Sequence, residues 1–61
     1  MNNYTERQNQ IIQESIQLIA EKGIQGLTIK NISKAIGISE PAIYRHFENK
    51  DDIILAIIST M

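Results

Sequence analysis

His46, with Glu40 and Glu48 on either side, and the cations Lys30, Lys34, Arg45 and Lys50 are the groups in this 61-residue chain whose types and spacing could do chemistry. An imidazole near carboxylates could serve as a general base. There is no cysteine to pair with it, however, and a domain this small offers no obvious pocket. The cations point elsewhere. Residues 27–50 hold four basic side chains against two acidic ones, a local balance of +2, while the segment before sums to −1 and the segment after, through Asp51 and Asp52, to −2. The whole chain carries −1 and offers no global attraction to a polyanion, so any polyanion would be held by the middle. The plainer alternative is that these charges solvate an outer face.

Length allows one small domain whose stability is a few kcal/mol at about this size. Hydrophobic residues are 43% and charged residues 21%, a globular rather than a disordered composition. Without cysteine there is neither a disulfide scaffold nor a thiolate zinc site, and one histidine excludes a multi-histidine metal site. No metal and no cofactor is expected. Met1-Asn2-Asn3-Tyr4-Thr5-Glu6 lacks the basic patch and apolar stretch of an export signal, and the longest apolar run, Ile53 to Ile58, is too short to cross a bilayer. The expectation is a soluble, cytoplasmic domain with no membrane partner.

The elements that must position these side chains read as helices throughout, since no segment alternates with period two for long enough to make a strand. Thr5-Glu6-Arg7-Gln8 fits a capping box. From there Ile11, Ile12, Ile16, Leu18, Ile19 and Ala20 share one broad face, with Ser15 among them, opposite Gln10, Gln13, Glu14, Gln17 and Glu21. Gly23 ends this helix. A loop from Gly23 to Leu27 leads to Thr28, the cap of a second helix that carries Ile29, Ile32 and Ile36 inward and Lys30 and Lys34 outward. Gly37 stops it. Ser39 caps a third helix with Glu40 and Pro41 in its first turn, where proline is tolerated. Ile43 and Phe47 point inward, so Arg45 and His46, with Ala42 nearby, look outward. Asn49 caps a fourth helix, with Asp51 and Asp52 well placed in its first turn.

Two short helices joined by Gly37-Ile38-Ser39 can form a helix-turn-helix, which lays its second helix in the DNA major groove. Spacing alone leaves an ordinary helical hairpin equally open. The fourth helix is unusual. Ile53, Ile54, Leu55, Ala56, Ile57 and Ile58 cover well over half its circumference, more than three short helices can bury. A second domain or a partner subunit is expected to cover the rest.

Gly26-Leu27-Thr28-Ile29, Ile32, Ala35-Ile36-Gly37-Ile38-Ser39, Ala42-Ile43-Tyr44-Arg45-His46-Phe47 and Lys50 resemble the N-terminal domain of TetR-type transcriptional repressors. The pattern runs from about residue 8 to residue 57 and is densest and most specific from Gly37 to Lys50. The resemblance implies an all-α fold: a three-helix, homeodomain-like helix-turn-helix bundle over residues 1–50, and the start of a linking helix over residues 51–61 towards a C-terminal domain. It also implies sequence-specific binding of double-stranded DNA at a palindromic operator, as a homodimer that represses transcription. A small-molecule inducer, bound in the absent domain, would release the DNA.

Carried onto this sequence, the resemblance gives ten DNA-binding residues. Thr28 would use its hydroxyl and nearby free amides on a phosphate, and Lys30 would reach the groove or the backbone. Glu40, Pro41 and Ala42 occupy the first turn of the recognition helix, which would face base edges, and Ser39, its cap, is counted with them among the DNA-binding residues. Tyr44 and His46 match backbone-contacting positions, Arg45 sits where base reading is possible, and Lys50 matches a phosphate anchor. Glu40 departs from the usual pattern because its charge repels phosphate, although a carboxylate can accept from a cytosine amino group.

Physical chemistry weighs on three of these. Tyr44 could be half-buried core, but Ile43 and Phe47 already fill the inward face. A phosphate at His46 would couple affinity to pH through the imidazole. Lys50 sits unfavourably in a helix's first turn, and a phosphate beside it would reverse that cost, although Asp51 and Asp52 could neutralise it instead. The alternative function is a small protein-interaction module docking through its apolar fourth helix. An enzyme built on His46, Glu40 and Glu48 ranks below both, and no catalytic residue is assigned.

Overall fold

The computed structural model describes residues 4–61, so the reading of Met1, Asn2 and Asn3 lies outside the described residues. Four α-helices follow one another: α1 (Glu6–Lys22), α2 (Ile29–Ile36), α3 (Glu40–Tyr44) and α4 (Lys50–Ser59), with a short 3-10 turn at Ile24–Gly26. Among the described residues there is no strand. The fold is all-α, as the periodicity and the resemblance both lead one to expect.

Each helix starts where a short polar side chain can satisfy an amide that has no intrahelical partner. Thr5 Oγ1 accepts from the Gln8 amide at 3.1 Å while Gln8 Oε1 accepts from the Thr5 amide at 2.9 Å, a complete capping box. Thr28 accepts from Asn31 N–H at 3.0 Å, Ser39 from Ala42 N–H at 3.3 Å, and Asn49 from Asp52 N–H at 3.0 Å. Gly37 ends α2 in the left-handed conformation, φ 85° and ψ 29°, which a side chain disfavours. Its amide and that of Ile38 both donate to the Ser33 carbonyl, at 2.8 and 3.1 Å, closing the turn before α3 begins.

The core is Ile11, Ile12 and Leu18 from α1, Leu27, Ile32 from α2, Ile43 and Phe47, and Ile53 and Ala56 from α4. α1 packs against both α2 and α4, and α2 packs against α3. Full burial of each large apolar side chain contributes about 1.5–3 kcal/mol, which is how so short a chain holds a fold. Two serines join the interior. Ser15 donates to the Ile11 carbonyl at 2.7 Å and Ser33 to the Lys30 carbonyl at 2.8 Å, so neither hydroxyl is buried without a partner.

The first helix buries a narrower stripe than its sequence suggests. Ile16 is 38% exposed and Ala20 is also exposed, because the interior face follows 11, 12, 15 and 18. The segment read as a plain loop is more structured than expected. The 3-10 turn swings Leu27 fully into the core, with its amide on the Ile24 carbonyl at 3.1 Å. That turn lies tight on α1: a Cβ at Gly26 would come within 2.5 Å of Lys22 Cβ. Asn31 Nδ2 then donates to the Gly26 carbonyl at 2.9 Å, locking the turn to the head of α2.

Candidate nucleic-acid interface

α2, the turn at residues 37–39 and α3 form the helix–turn–helix unit, and its geometry follows from local chemistry. Gly37 reverses the chain, Ile38 is half-buried against the core, and Ser39 restarts the helix. Burial of Ile43 fixes the roll of α3 about its axis. Glu40, Pro41, Tyr44 and Arg45 are consequently exposed, and Tyr44 remains 51% exposed. Ile43 lies inward and Arg45 outward where the sequence puts them, whereas His46 and Ala42, read as outward, are half-buried. Regular α3 is short: it ends at Tyr44, and Arg45 and His46 lie in the turn that follows. Phe47 still reaches the core because its amide bonds the Ile43 carbonyl at 3.0 Å, continuing the helical spacing for one more residue.

Of the ten residues carried over from the resemblance, none is buried. Lys30, Ser39, Glu40, Pro41, Tyr44, Arg45 and Lys50 are exposed, and Thr28, Ala42 and His46 are half-buried. Three helix starts hold most of them: Thr28 and Lys30 at α2, Ser39 to Ala42 at α3, and Lys50 at α4. Each start offers main-chain amides not used within the helix. Thr28 Oγ1 accepts the capping bond from Asn31, which leaves the hydroxyl proton to donate to an incoming oxygen. Lys30 and Lys34 stand outward on α2, one turn apart. Lys50 opens α4 directly after its Asn49 cap, with Asp51 exposed beside it and Asp52 half-buried.

Lys30, Lys34, Arg45 and Lys50 are all exposed and give this part of the molecule cations that can face an extended anion. Among the described residues no group of three or more His, Asp or Glu side chains could hold a metal ion. His46 is half-buried, and its carbonyl accepts from Gln8 Nε2 at 2.9 Å. The sequence gives Gln8 a role only in the cap of α1. Its second bond, to a residue 38 positions away, carries no local signal. Asn31 likewise shapes the interface from behind, by holding Gly26, and only its short amide side chain near a glycine turn could have hinted at it. No helix of the described residues is long and apolar enough to cross a membrane.

Comparison with known proteins gives the same direction. The family model described as bacterial regulatory proteins, tetR family, matches residues 11–57. The nucleoid occlusion factor SlmA of Glaesserella parasuis serovar 5 (strain SH0165) is 43% identical over 54 residues, which is 87% of this chain and 27% of that protein. The tetracycline repressor protein class A from transposon 1721 of Escherichia coli is 34% identical over 53 residues, 87% of this chain and 24% of the repressor. The biofilm operon icaADBC HTH-type negative transcriptional regulator IcaR of Staphylococcus epidermidis is 40% identical over 45 residues, 74% of this chain and 24% of IcaR. The chain thus spans about a quarter of the length of these relatives. No solved structure matches.

Proposed function

This chain belongs to the tetR family of bacterial regulatory proteins, and from that premise we propose that it is a DNA-binding head that places α3 in the major groove of an operator and represses transcription. The observation that carries the reading is the outward set on the helix–turn–helix unit: Glu40, Pro41, Tyr44 and Arg45 exposed while Ile43 is wholly buried behind them. Two of the three relatives described above are named as repressors or negative regulators.

In this reading contacts to phosphate position the protein and contacts to base edges choose the sequence. Thr28, Lys30, Tyr44, His46 and Lys50 hold phosphates, with Lys30 also within reach of the groove. Ser39, Glu40, Pro41, Ala42 and Arg45 face the bases. The protein acts in the cytoplasm as a homodimer on a palindromic operator, with its two recognition helices about 34–36 Å apart in successive major grooves. The outer side of α4 packs against a second helical domain that dimerises and binds a small-molecule inducer. His46 performs no catalysis.

A second reading is favoured by the exposure of Leu55 and Ile58, at 60% and 59%: a protein-interaction module that docks through α4. DNA binding separates the two. Lys50→Ala is expected to weaken binding about equally on all sequences and to lower the salt slope by about one. Arg45→Ala and Glu40→Ala are expected to change the motif selected from a random duplex library, by about 1–3 kcal/mol per lost base contact. An unchanged salt slope removes Lys50 from the interface, and an unchanged motif removes Arg45 and Glu40 from base reading.

A further inference from the structure

Two contacts tie the start of α1 to the chain just beyond α3. Gln8 Nε2 donates to the His46 carbonyl at 2.9 Å, and the Tyr4 ring lies 6.3 Å from the Phe47 ring, centroid to centroid, tilted by 43°. They land on consecutive residues. The Gln8 side chain serves both ends of this arrangement, its oxygen closing the capping box on Thr5 and its nitrogen reaching His46.

The site of attachment matters because α3 is only five residues long. A helix of that length has no stability of its own, so its direction is set by what holds its two ends. The first end is fixed by Ser39 and the turn at Gly37. At the second end Ile43 and Phe47 anchor the inward side, and the Gln8 amide holds the backbone of His46 itself. Tyr44, Arg45 and His46 all lie in the stretch between these anchors.

Resting on the DNA-binding reading above, we infer that Gln8, with Tyr4 beside it, is a positioning residue for recognition: it fixes the His46 carbonyl and so aims Tyr44, Arg45 and His46 at the DNA. Gln8 need not touch DNA for this. The amide nitrogen is the necessary atom, because the oxygen faces the cap.

Gln8→Glu separates the two functions of the side chain. A carboxylate still accepts from the Thr5 amide and suits the positive end of α1, so the cap survives. It has no hydrogen to donate to His46 and sets two acceptors against each other. Thr5→Ala does the reverse, weakening the cap and leaving the bond to His46. The test measures affinity for a duplex selected by the unaltered chain, by fluorescence anisotropy at about 50 and 200 mM salt, with amide and carbonyl NMR shifts of each free protein. Gln8→Glu is expected to weaken binding about five- to tenfold at both salts and to shift residues 44–47. Thr5→Ala is expected to change affinity by less than about twofold while lowering the unfolding temperature. Tyr4→Ala, which spares cap and amide alike, is expected to disturb the same residues 44–47 and to weaken binding.

A loss in Gln8→Glu that disappears at the higher salt would be repulsion of phosphate by the new charge, and would overturn the positioning role. So would undiminished binding by that variant, or shifts confined to residues 5–10 with none at 44–47 in either the Gln8 or the Tyr4 variant. Failure of the unaltered chain to bind any duplex overturns the DNA reading and this inference with it, an outcome distinct from the others.

Discussion

Both α2 and α4 begin on a side-chain cap, Thr28 on the Asn31 amide and Asn49 on the Asp52 amide, and both send two side chains into one core. Ile32 and Ser33 come from the first, Ile53 and Ala56 from the second. Their outer faces differ. α2 turns Lys30 and Lys34 outward, whereas α4 turns Leu55 and Ile58 outward beyond a first turn that carries Asp51 and Asp52. Each helix thus sends one wholly buried isoleucine inward beside a small residue, Ser33 or Ala56. They differ outside: the exposed lysines of α2 suit an anion, while beyond Lys50 the outer side of α4 suits an apolar partner. In a domain this small the core fixes where faces point, and the residues left outside decide what each face can meet.

The largest expected effects test the shared half of that comparison. Ile32→Ala and Ile53→Ala each remove a wholly buried side chain and are expected to cost about 2–5 kcal/mol. Urea unfolding followed by circular dichroism measures both. A loss well under 1 kcal/mol at Ile53 would mean that α4 is not part of the core, and the comparison would break. Gly37→Ala comes next. Its φ of 85° costs a side chain about 1–2 kcal/mol, with the thermal midpoint lowered accordingly. An unchanged midpoint would show that the turn leading into α3 relaxes freely and does not fix that helix.

The smallest effects test the half that differs. Lys30→Ala and Leu55→Ser both alter exposed side chains, so each is expected to leave stability within about 0.5 kcal/mol. On DNA they part: the lysine variant is expected to lower the salt slope by about one, and the leucine variant to leave affinity unchanged. Loss of DNA affinity in Leu55→Ser would erase the distinction between the two faces.

Local features of this fold are legible in the sequence, and features made by distant contacts are not. The caps at Thr5, Thr28, Ser39 and Asn49 and the stop at Gly37 each depend on a few neighbouring residues, and all lie where residue type puts them. The outward direction of Glu40, Tyr44 and Arg45 is legible too, because Ile43 and Phe47 fix the opposite side. Ile16 and Ala20 mislead, since periodicity gives the breadth of an apolar face but not how much of it neighbouring helices cover. In α4 the apolar residues nearly encircle the helix, and only packing against α1 selects Ile53 and Ala56 as the inward pair. Leu27 is buried by a 3-10 turn with no periodic signature. The bond from Gln8 to His46 and the ring contact from Tyr4 to Phe47 join residues far apart in the chain, 38 positions in the first case, where sequence neighbours carry no information.

The central claim is that the face built around α2, the turn, α3 and Lys50 at the head of α4 meets DNA, while the apolar outer side of α4 does not. An amide NMR titration of the labelled chain with a mixed-sequence duplex, at low and at moderate salt, tests it residue by residue. The account predicts shifts clustered at residues 28–30 and 39–50 that fade as salt rises. Silence at those residues even at low salt, or shifts confined to residues 53–58, would contradict it.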